Sequence, residues 1–298
     1  MRSVAVLLIA LFMAFATPCH AEKPIEVYLL QSPENAGEGH NSRLLELALS
    51  KTGKPYKVII DTADASQLRR IEHVKESNDN YVMTMGASPE HEKDMLAVHV
   101  PVLLGIGSGH RVMLTNKRTA AKLASVSTLE ELKDFTFVQG LGWSDVEILQ
   151  AAGLDVTEVY KGELAYRMID ANRVDLFPRG LFEAYSEYAI RKDKYKNLMV
   201  EERILLTYPF AFFFYVNKDN QRLHDDILHG MKAAYASGEL QDIITTNPTF
   251  SQSLDEAHLE NRVRMDLPAI NISPETLDAI KRFPFVPGKP LGAPPAGS

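Results

Sequence analysis

Hydrophobic and polar positions in the first third of the chain alternate between short apolar runs and leucine-spaced segments. Buried strands are predicted at 25–31 (IEVYLLQ), 56–61 (YKVIID) and 80–85 (NYVMTM). Between them, 41–52 carries leucines at helical spacing and stops at Gly53, and 66–77 reads as a polar helix. Three strands with two helical crossovers predict a doubly wound α/β half.

The same alternation returns after residue 127. Ser127-Thr128-Leu129-Glu130 is a capping-box pattern that opens a short helix. Strands are predicted at 135–140, 155–160, 174–178 and 210–217, and helices at 143–152, 163–172, 181–191, 221–236, 239–246 and 252–262. This is a second α/β half.

Two β-prone segments, 111–116 (RVMLTN) and 213–217 (FFYVN), are each followed by a lysine and a polar stretch. We interpret them as crossings between the halves, and the fold class as two doubly wound α/β lobes joined by two crossing strands. Lobe 1 is then discontinuous, 22–113 plus 216–298, with lobe 2 inserted at 114–215. Two sequential domains are the alternative, but the first half alone has too few helices to cover both sheet faces.

The N-terminus predicts export. A basic start, an apolar run from Val4 to Ala16 and small residues before a cut after Ala21 are typical of a signal peptide, 1–21, with an uncleaved anchor as the alternative. The only cysteine, Cys19, lies inside it, so the mature chain forms no disulfide. A formal charge of −7 without a basic tract disfavours nucleic acid. We expect a periplasmic monomer without stable membrane insertion, and a flexible proline-rich tail at 284–298.

Six segments together resemble one family, the extracytoplasmic solute-binding proteins of the amino-acid-transporter type (type II periplasmic binding proteins). Each motif is weak, and their order and spacing carry the resemblance. They are SPEHEKDMLAVHVPV at 88–102 (family pattern TPER…DFS-PY), SGHRVMLTNK at 108–117, STLEELKDFTFVQGLGWSD at 127–145, NRVDLFPRG at 172–180, FFYVNKDN at 213–220 and AYASGELQDI at 234–243. The resemblance implies two lobes that close over a small solute, with contacts from strand ends and helix N-termini.

The chain departs from that pattern at the usual amino-acid clamp. In the amino-acid-binding members an arginine of TPER pairs with the ligand carboxylate, and His91 stands there in this chain. An aspartate that takes the ligand ammonium is replaced by Gly180, beside Arg179. A neutral imidazole cannot form the bidentate charged pair that arginine makes. We therefore expect a small polar, anionic solute, received in part by Arg179, rather than an α-amino acid in the usual pose.

The candidate ligand-binding residues lie at strand ends and in the loop 140–145, where glycines allow close backbone approach and a helix begins. Each has a structural alternative: an ion pair for Arg179, a core anchor for Trp143, a solvated turn residue for His91 and a helix cap for Asp145. The full set is Gln31, Ser88, His91, Gly140, Gly142, Trp143, Ser144, Asp145 and Arg179.

Signatures of catalysis are missing from the sequence. GIGSG at 105–109 does not open a helix, HEKDM at 91–95 lacks the second histidine of HExxH, and no GxSxG or Walker A motif occurs. We expect no enzyme, cofactor or metal, and a protein that presents its solute to an inner-membrane permease. The alternatives are a ligand-sensing module for a membrane receptor and, on the same fold, a dehydratase-like lyase.

Overall fold

A computed structural model describes residues 23–33, 39–105 and 109–285 of the 298-residue chain. The predicted signal peptide and nearly all of the predicted tail lie outside the described residues. Within these ranges the strands are β1 (Ile25–Gln31), β2 (Tyr56–Thr62), β3 (Tyr81–Gly86), β4 (Met95–Val98), β5 (His110–Asn116), β6 (Thr136–Gly140), β7 (Asp155–Val159), β8 (Leu176–Gly180), β9 (Leu198–Val200), β10 (Ile204–Thr207), β11 (Phe212–Asn217) and β12 (Val263–Asp266).

The helices alternate with these strands for most of the chain. They are α1 (His40–Ser50), α2 (Gln67–Glu76), α3 (Pro89–Asp94), α4 (Lys117–Leu123), α5 (Leu129–Leu132), α6 (Asp145–Ala151), α7 (Gly162–Asp170), α8 (Leu181–Arg191), α9 (Gln221–Ser237), α10 (Glu239–Thr245), α11 (Pro248–Ala257) and α12 (Pro274–Arg282), with a 3₁₀ turn at Leu259–Asn261. The predicted helix 252–262 was misplaced, because Asn247 caps a helix that starts at Pro248 and ends before His258.

The first sheet has the strand order β2-β1-β3-β11-β4. Strand β1 is parallel to β2 and β3, whereas β11 is antiparallel to β3 and β4. Leu30 pairs with Met83, so Gln31 and Thr84 lie side by side where the two parallel strands end. Helices α1 and α9 cross closely over this sheet, since a Cβ on Gly230 would lie 1.8 Å from the Ala48 carbonyl oxygen.

The second sheet has the order β12-β10-β5-β8-β6-β7, and β9 pairs with β5. Its core contains the fully buried Met113, Phe137 and Leu176, with Ile148 of α6 packed against them. The apolar pattern of 135–140 predicted β6 because both faces of this parallel strand are covered.

The chain passes between the sheets in short links. Strand β4 is in the first sheet and β5 in the second, and 208–211 joins β10 of the second sheet to β11 of the first. The segments 111–116 and 213–217 thus lie within single sheets, and the passages themselves precede them. Strand β5 pairs with β10, β8 and β9 in the second sheet, and β11 pairs with β3 and β4 in the first sheet, which explains this placement.

The lobe limits 22–113 with 216–298, and 114–215, stay a prediction, but one strand departs from them. Strand β12 lies within 216–298, yet it pairs with β10 over four residues in the second sheet. The chain then returns, because Ala279 of α12 packs in the cluster that includes Leu30 and Val74 of the first sheet's elements. A strand of only four residues gives too weak an apolar pattern to reveal which sheet it joins.

The described part of the chain contains no helix that is long and apolar enough to cross a membrane.

Candidate functional site

The carboxyl end of β3 meets the start of α6 at the Gly86 carbonyl oxygen. The Ser144 hydroxyl donates to this oxygen at 3.0 Å, and His91 Nδ1 lies 3.0 Å from it. Because a carbonyl oxygen only accepts, Nδ1 carries the proton of the His91 ring. Ser88 caps α3 by accepting from the His91 amide at 3.2 Å. Three predicted site residues, Ser88, His91 and Ser144, are therefore buried. Ser144 from the second lobe and His91 from the first meet at the Gly86 carbonyl, and the Ser88 hydroxyl contacts the His91 amide within the first lobe.

The interpretation of His91 as a solvated turn residue is wrong. His91 is only 9% exposed, and its ring packs edge-on against the ring of Tyr215, with 6.3 Å between the two ring centroids. The charged residues around His91 made burial of its side chain hard to predict. Glu90 and Lys93 face solvent, whereas His91 on the same short helix points inward.

The loop 140–145 needs its glycines for two reasons. Gly142 has a φ of +77°, and a Cβ on Gly140 would lie 2.2 Å from the Trp143 ring. The Gly142 carbonyl accepts from Gln67 Nε2 at 3.0 Å, which joins this loop to α2 of the first lobe. The glycines do permit close approach to the backbone of this loop, but the groups that approach it are the side chains of Trp143 and Leu68.

Asp145 binds a buried arginine that the sequence reading overlooked. Arg111 of β5 is 2% exposed, its Nη2 lies 2.7 Å from Asp145 Oδ1, and its Nε donates to the Tyr208 hydroxyl at 2.8 Å. The guanidinium also lies 4.3 Å from the Phe210 ring centre. Burial by itself lowers the pKa of Arg111, but the Asp145 carboxylate, Tyr208 and Glu183 together outweigh it and hold this pKa above its ordinary value. A charged residue inside the apolar run RVML was the available signal.

Arg179 of β8 directs its donors at two carboxylates of α8. Its Nε and Nη2 contact Glu187 at 2.8 and 2.7 Å, and Nη2 lies 2.9 Å from Glu183. The guanidinium stacks over Trp143 at 4.7 Å, and that ring in turn faces Phe177 at 6.2 Å. Burial alone lowers the pKa of Arg179, but Glu183 and Glu187 raise it well above the ordinary value. The geometry matches the ion-pair and packing alternatives for Arg179 and Trp143.

A cavity of about 650 Å³ opens beside this buried junction. Gln31 and Thr84 line it from the strand ends of the first sheet, and α1, α8 and α11 form its other walls. Gln31 is the only one of the nine predicted site residues in this wall. Gly140 and Trp143 instead line a second cavity of about 270 Å³, near Ser66 and Lys161. Of the nine predicted residues, Gln31 thus lines the larger cavity, Gly140 and Trp143 line the smaller one, and the other six line neither.

Aromatic rings from three elements form one side of the larger cavity. His40 of α1 meets Phe250 of α11 at 4.8 Å, and Phe250 stacks on Phe182 of α8 at 4.2 Å. His40 Nε2 lies 3.0 Å from the Val102 carbonyl, and burial lowers the pKa of this imidazole, which keeps it neutral near pH 7. Sequence reading missed these residues, because each sits at helical spacing typical of ordinary core positions.

No family model matches the chain, and no curated protein matches it. Solved structures do. An ancestral arginine-binding protein bound to glutamine superposes with a TM-score of 0.59 at 15% identity, covering 76% of this chain and 99% of the other. An amino acid ABC transporter substrate-binding protein from Streptococcus pneumoniae, bound to L-arginine, gives 0.57 at 14% identity, covering 78% and 94%.

A histidine kinase sensor domain with similarity to periplasmic binding proteins gives a TM-score of 0.56 at 12% identity, covering 76% of this chain and 96% of the domain. The fold of this chain is therefore that of the two-lobed periplasmic binding proteins. This confirms the expected α/β fold class and the resemblance at the level of structure.

Proposed function

We propose that this protein is an exported solute-binding protein whose ligand occupies the cavity of about 650 Å³. The observation that supports the proposal most is the position of this cavity. It lies outside the carboxyl ends of β1 and β3, where open α/β sheets bind ligands, and elements of the second lobe close it from the other side. Its volume is within the range of small-molecule sites.

The walls favour a small polar solute that also has an apolar part. Gln31, Asn41 and Gln252 supply amide groups, whereas Phe182 and Phe250 supply ring faces. The expected anionic character of the solute depended on Arg179, whose donors are directed at Glu183 and Glu187. Lys192, Glu183 and Glu256 are the charged lining residues, and Glu183 is already paired with Arg179, so no single sign dominates among the remaining charges. We accordingly propose a polar solute and no longer assign Arg179 to an anion.

The place of the usual amino-acid clamp, around His91, offers no comparable room for a ligand. Ser144 and His91 both contact the Gly86 carbonyl there, and a Cβ on Gly86 would lie 2.4 Å from the Phe210 ring. A solute in the larger cavity would instead touch both lobes, so its binding free energy would favour the closed arrangement. Delivery to a membrane permease follows as the proposed role, with periplasmic location as expected from 1–21.

A sensing module is the second candidate, and the likeness to a histidine kinase sensor domain favours it. Both roles use the same closure over a solute. A permease encoded beside this protein would support transport, and a membrane kinase in that place would support sensing.

A thermal-shift screen of residues 22–298 against polar metabolites tests the proposal. A solute at a hundred times its dissociation constant should add about 2.7 kcal/mol of apparent stability. Ala189→Trp places a large ring in the cavity from an exposed position of α8, so this variant should lose the shift. Lys133→Ala, on the outside of the second lobe, serves as the matched control and should keep it. A shift that survives Ala189→Trp would place the ligand elsewhere.

A further inference from the structure

The last described part of the chain runs from the first lobe to the second and back. Residues 248–285, named the C-terminal strap here, contain α11, β12 and α12. Its beginning follows α10, and its end, Phe285, donates its amide to the Leu104 carbonyl at 2.9 Å. The chain therefore crosses between the lobes twice more, in addition to the links between β4 and β5 and between β10 and β11. It enters the second lobe on the way to β12 and returns to the first lobe on the way to α12.

The first half of the strap is bound firmly to the second lobe. Phe250 inserts between His40 of α1 and Phe182 of α8, so one ring contacts both lobes. Arg262, 7% exposed, donates to the carbonyls of Ala257, Glu201 and Ile204 and to the Tyr185 hydroxyl, all at 2.7 to 3.1 Å. Strand β12 then adds four paired residues to β10. These contacts fix the first half of the strap to the second lobe.

The second half of the strap crosses the cleft and docks on the first lobe. Asn271 Nδ2 donates to the Ser144 carbonyl at 3.2 Å, next to the junction at Gly86. Five residues later, Thr276 Oγ1 donates to Glu92 of α3 at 2.6 Å. Ala279 packs among Ile71 and Val74 of α2. The same short segment therefore holds α6 of one lobe against α2 and α3 of the other.

We propose that the C-terminal strap holds the two lobes together in the absence of solute, so that the cleft does not open widely between binding events. The inference rests on the proposed function only in assigning the regulated site to the cavity near Gln31. In a protein with hinge links alone, the solute supplies the free energy that favours closure. Here internal contacts supply part of it, and a solute then meets a cavity that is already formed, which removes the affinity loss due to a sparsely populated competent state.

Paired spin labels on the two edge strands farthest from the links measure lobe separation directly. Lys57→Cys on β2 and Glu158→Cys on β7 are exposed, and residues 22–298 contain no other cysteine. A protease recognition site inserted between the partly exposed Asn271 and Ile272 allows the strap to be cut after folding, and this cut separates the Asn271 contact with Ser144 from the docking of α12 on the first lobe. The uncut protein is the matched control, with the same sequence and labels.

The uncut protein should show one narrow distance distribution with no solute present. Cutting should broaden that distribution toward longer distances, while circular dichroism stays unchanged. A second, longer distance in the uncut protein, or an unaltered narrow one after cutting, would overturn the proposal. If cutting unfolds the chain, the distance distribution of the uncut protein alone tests the proposal. A wide or double distribution there contradicts the proposal that the strap holds the lobes together.

The measurement also separates the strap from the proposed function. Closure by the strap is tested without any solute, whereas the proposed function is tested by the thermal shift and by its loss in Ala189→Trp. A narrow uncut distribution with no solute found would leave the strap supported and the function unsupported. A hit in the screen combined with a wide uncut distribution would give the reverse.

Discussion

Replacing Asp145 by leucine should destabilise the protein more than any exposed charge change. Arg111 is 2% exposed, and its closest carboxylate is Asp145 at 2.7 Å, whereas Glu183 lies at 3.9 Å. Loss of Asp145 leaves a guanidinium buried against Phe210 and Tyr208 with one distant, partly exposed counter-charge. Breaking such a buried pair from one side costs about 3–5 kcal/mol in the free energy of unfolding.

Urea denaturation followed by circular dichroism gives that free energy for four proteins: wild type, Asp145→Leu, Arg111→Met and the double variant. Removing both charges together should cost far less than Asp145→Leu alone, because no unpaired charge stays buried. Lys133→Ala is the control, since its pair with Glu130 is exposed and is worth less than about 1 kcal/mol. A loss below about 1 kcal/mol for Asp145→Leu would refute the account of this junction as a buried ion pair.

Three further outcomes follow from close contacts and from one carboxylate. Gly230→Ala should cost more than about 2 kcal/mol in denaturation, because its Cβ would meet the Ala48 carbonyl, which is backbone and cannot turn aside. Gly140→Ala should also destabilise, but Trp143→Leu should relieve it, since the clash there is with a side chain; equal costs with and without Trp143 would contradict this. Burial raises the pKa of Glu92, but hydrogen bonds from His99, Ser273 and Thr276 outweigh it and hold the pKa below its ordinary value. Its contribution is therefore complete above pH 4.5 and lost as pH falls through the lower folded value, and a pH series of melts on wild type and Glu92→Gln should converge in acid.

Two carboxylates, Glu147 and Glu183, lie near the predicted site in the sequence, and their surroundings bear on the dehydratase-like alternative. Glu183 is paired with Arg179 and accepts the Gly180 amide at 2.8 Å, so its oxygens are already engaged. Glu147 of α6 is exposed. The described ranges contain no group of three or more His, Cys, Asp or Glu that could hold a metal ion.

Local pattern was enough to predict most of the secondary structure and the fold class. The run IEVYLLQ became β1 with its predicted bounds, and LFEAYSEYAIR became α8. Thr128 and Glu131 form the capping box that Ser127-Thr128-Leu129-Glu130 suggested one position earlier. These features depend on residues close together in the chain, so periodicity and capping chemistry carry them.

Partners far apart in sequence were decided by the tertiary structure. Asp145 was predicted as a helix cap, and only the fold places Arg111, 34 residues earlier in the chain, against it. Arg179 and Glu187 are only eight residues apart, yet the direction in which α8 leaves β8 decides that they pair. Phe250 is an ordinary apolar letter in α11, yet it stacks on a ring 68 residues earlier, Phe182. Burial and charge pairing are properties of three-dimensional neighbours, and no local spacing records them.

The sequence by itself predicted most of the strands and helices, the doubly wound class and the position of Gln31 at a strand end, because each follows from local periodicity and turn chemistry. The short strands β4, β9, β10 and β12 and the helices α3, α4 and α12 were not predicted. Only the tertiary structure decided which groups face the cavity, and that Ser144 and His91 meet the Gly86 carbonyl. The tertiary structure alone also decided that residues 263–285 pair with the second sheet and then return to the first lobe. Sheet pairing and docking of that segment depend on surfaces formed by residues more than fifty positions away, β10 and α2 among them, which have no shape until the chain has folded.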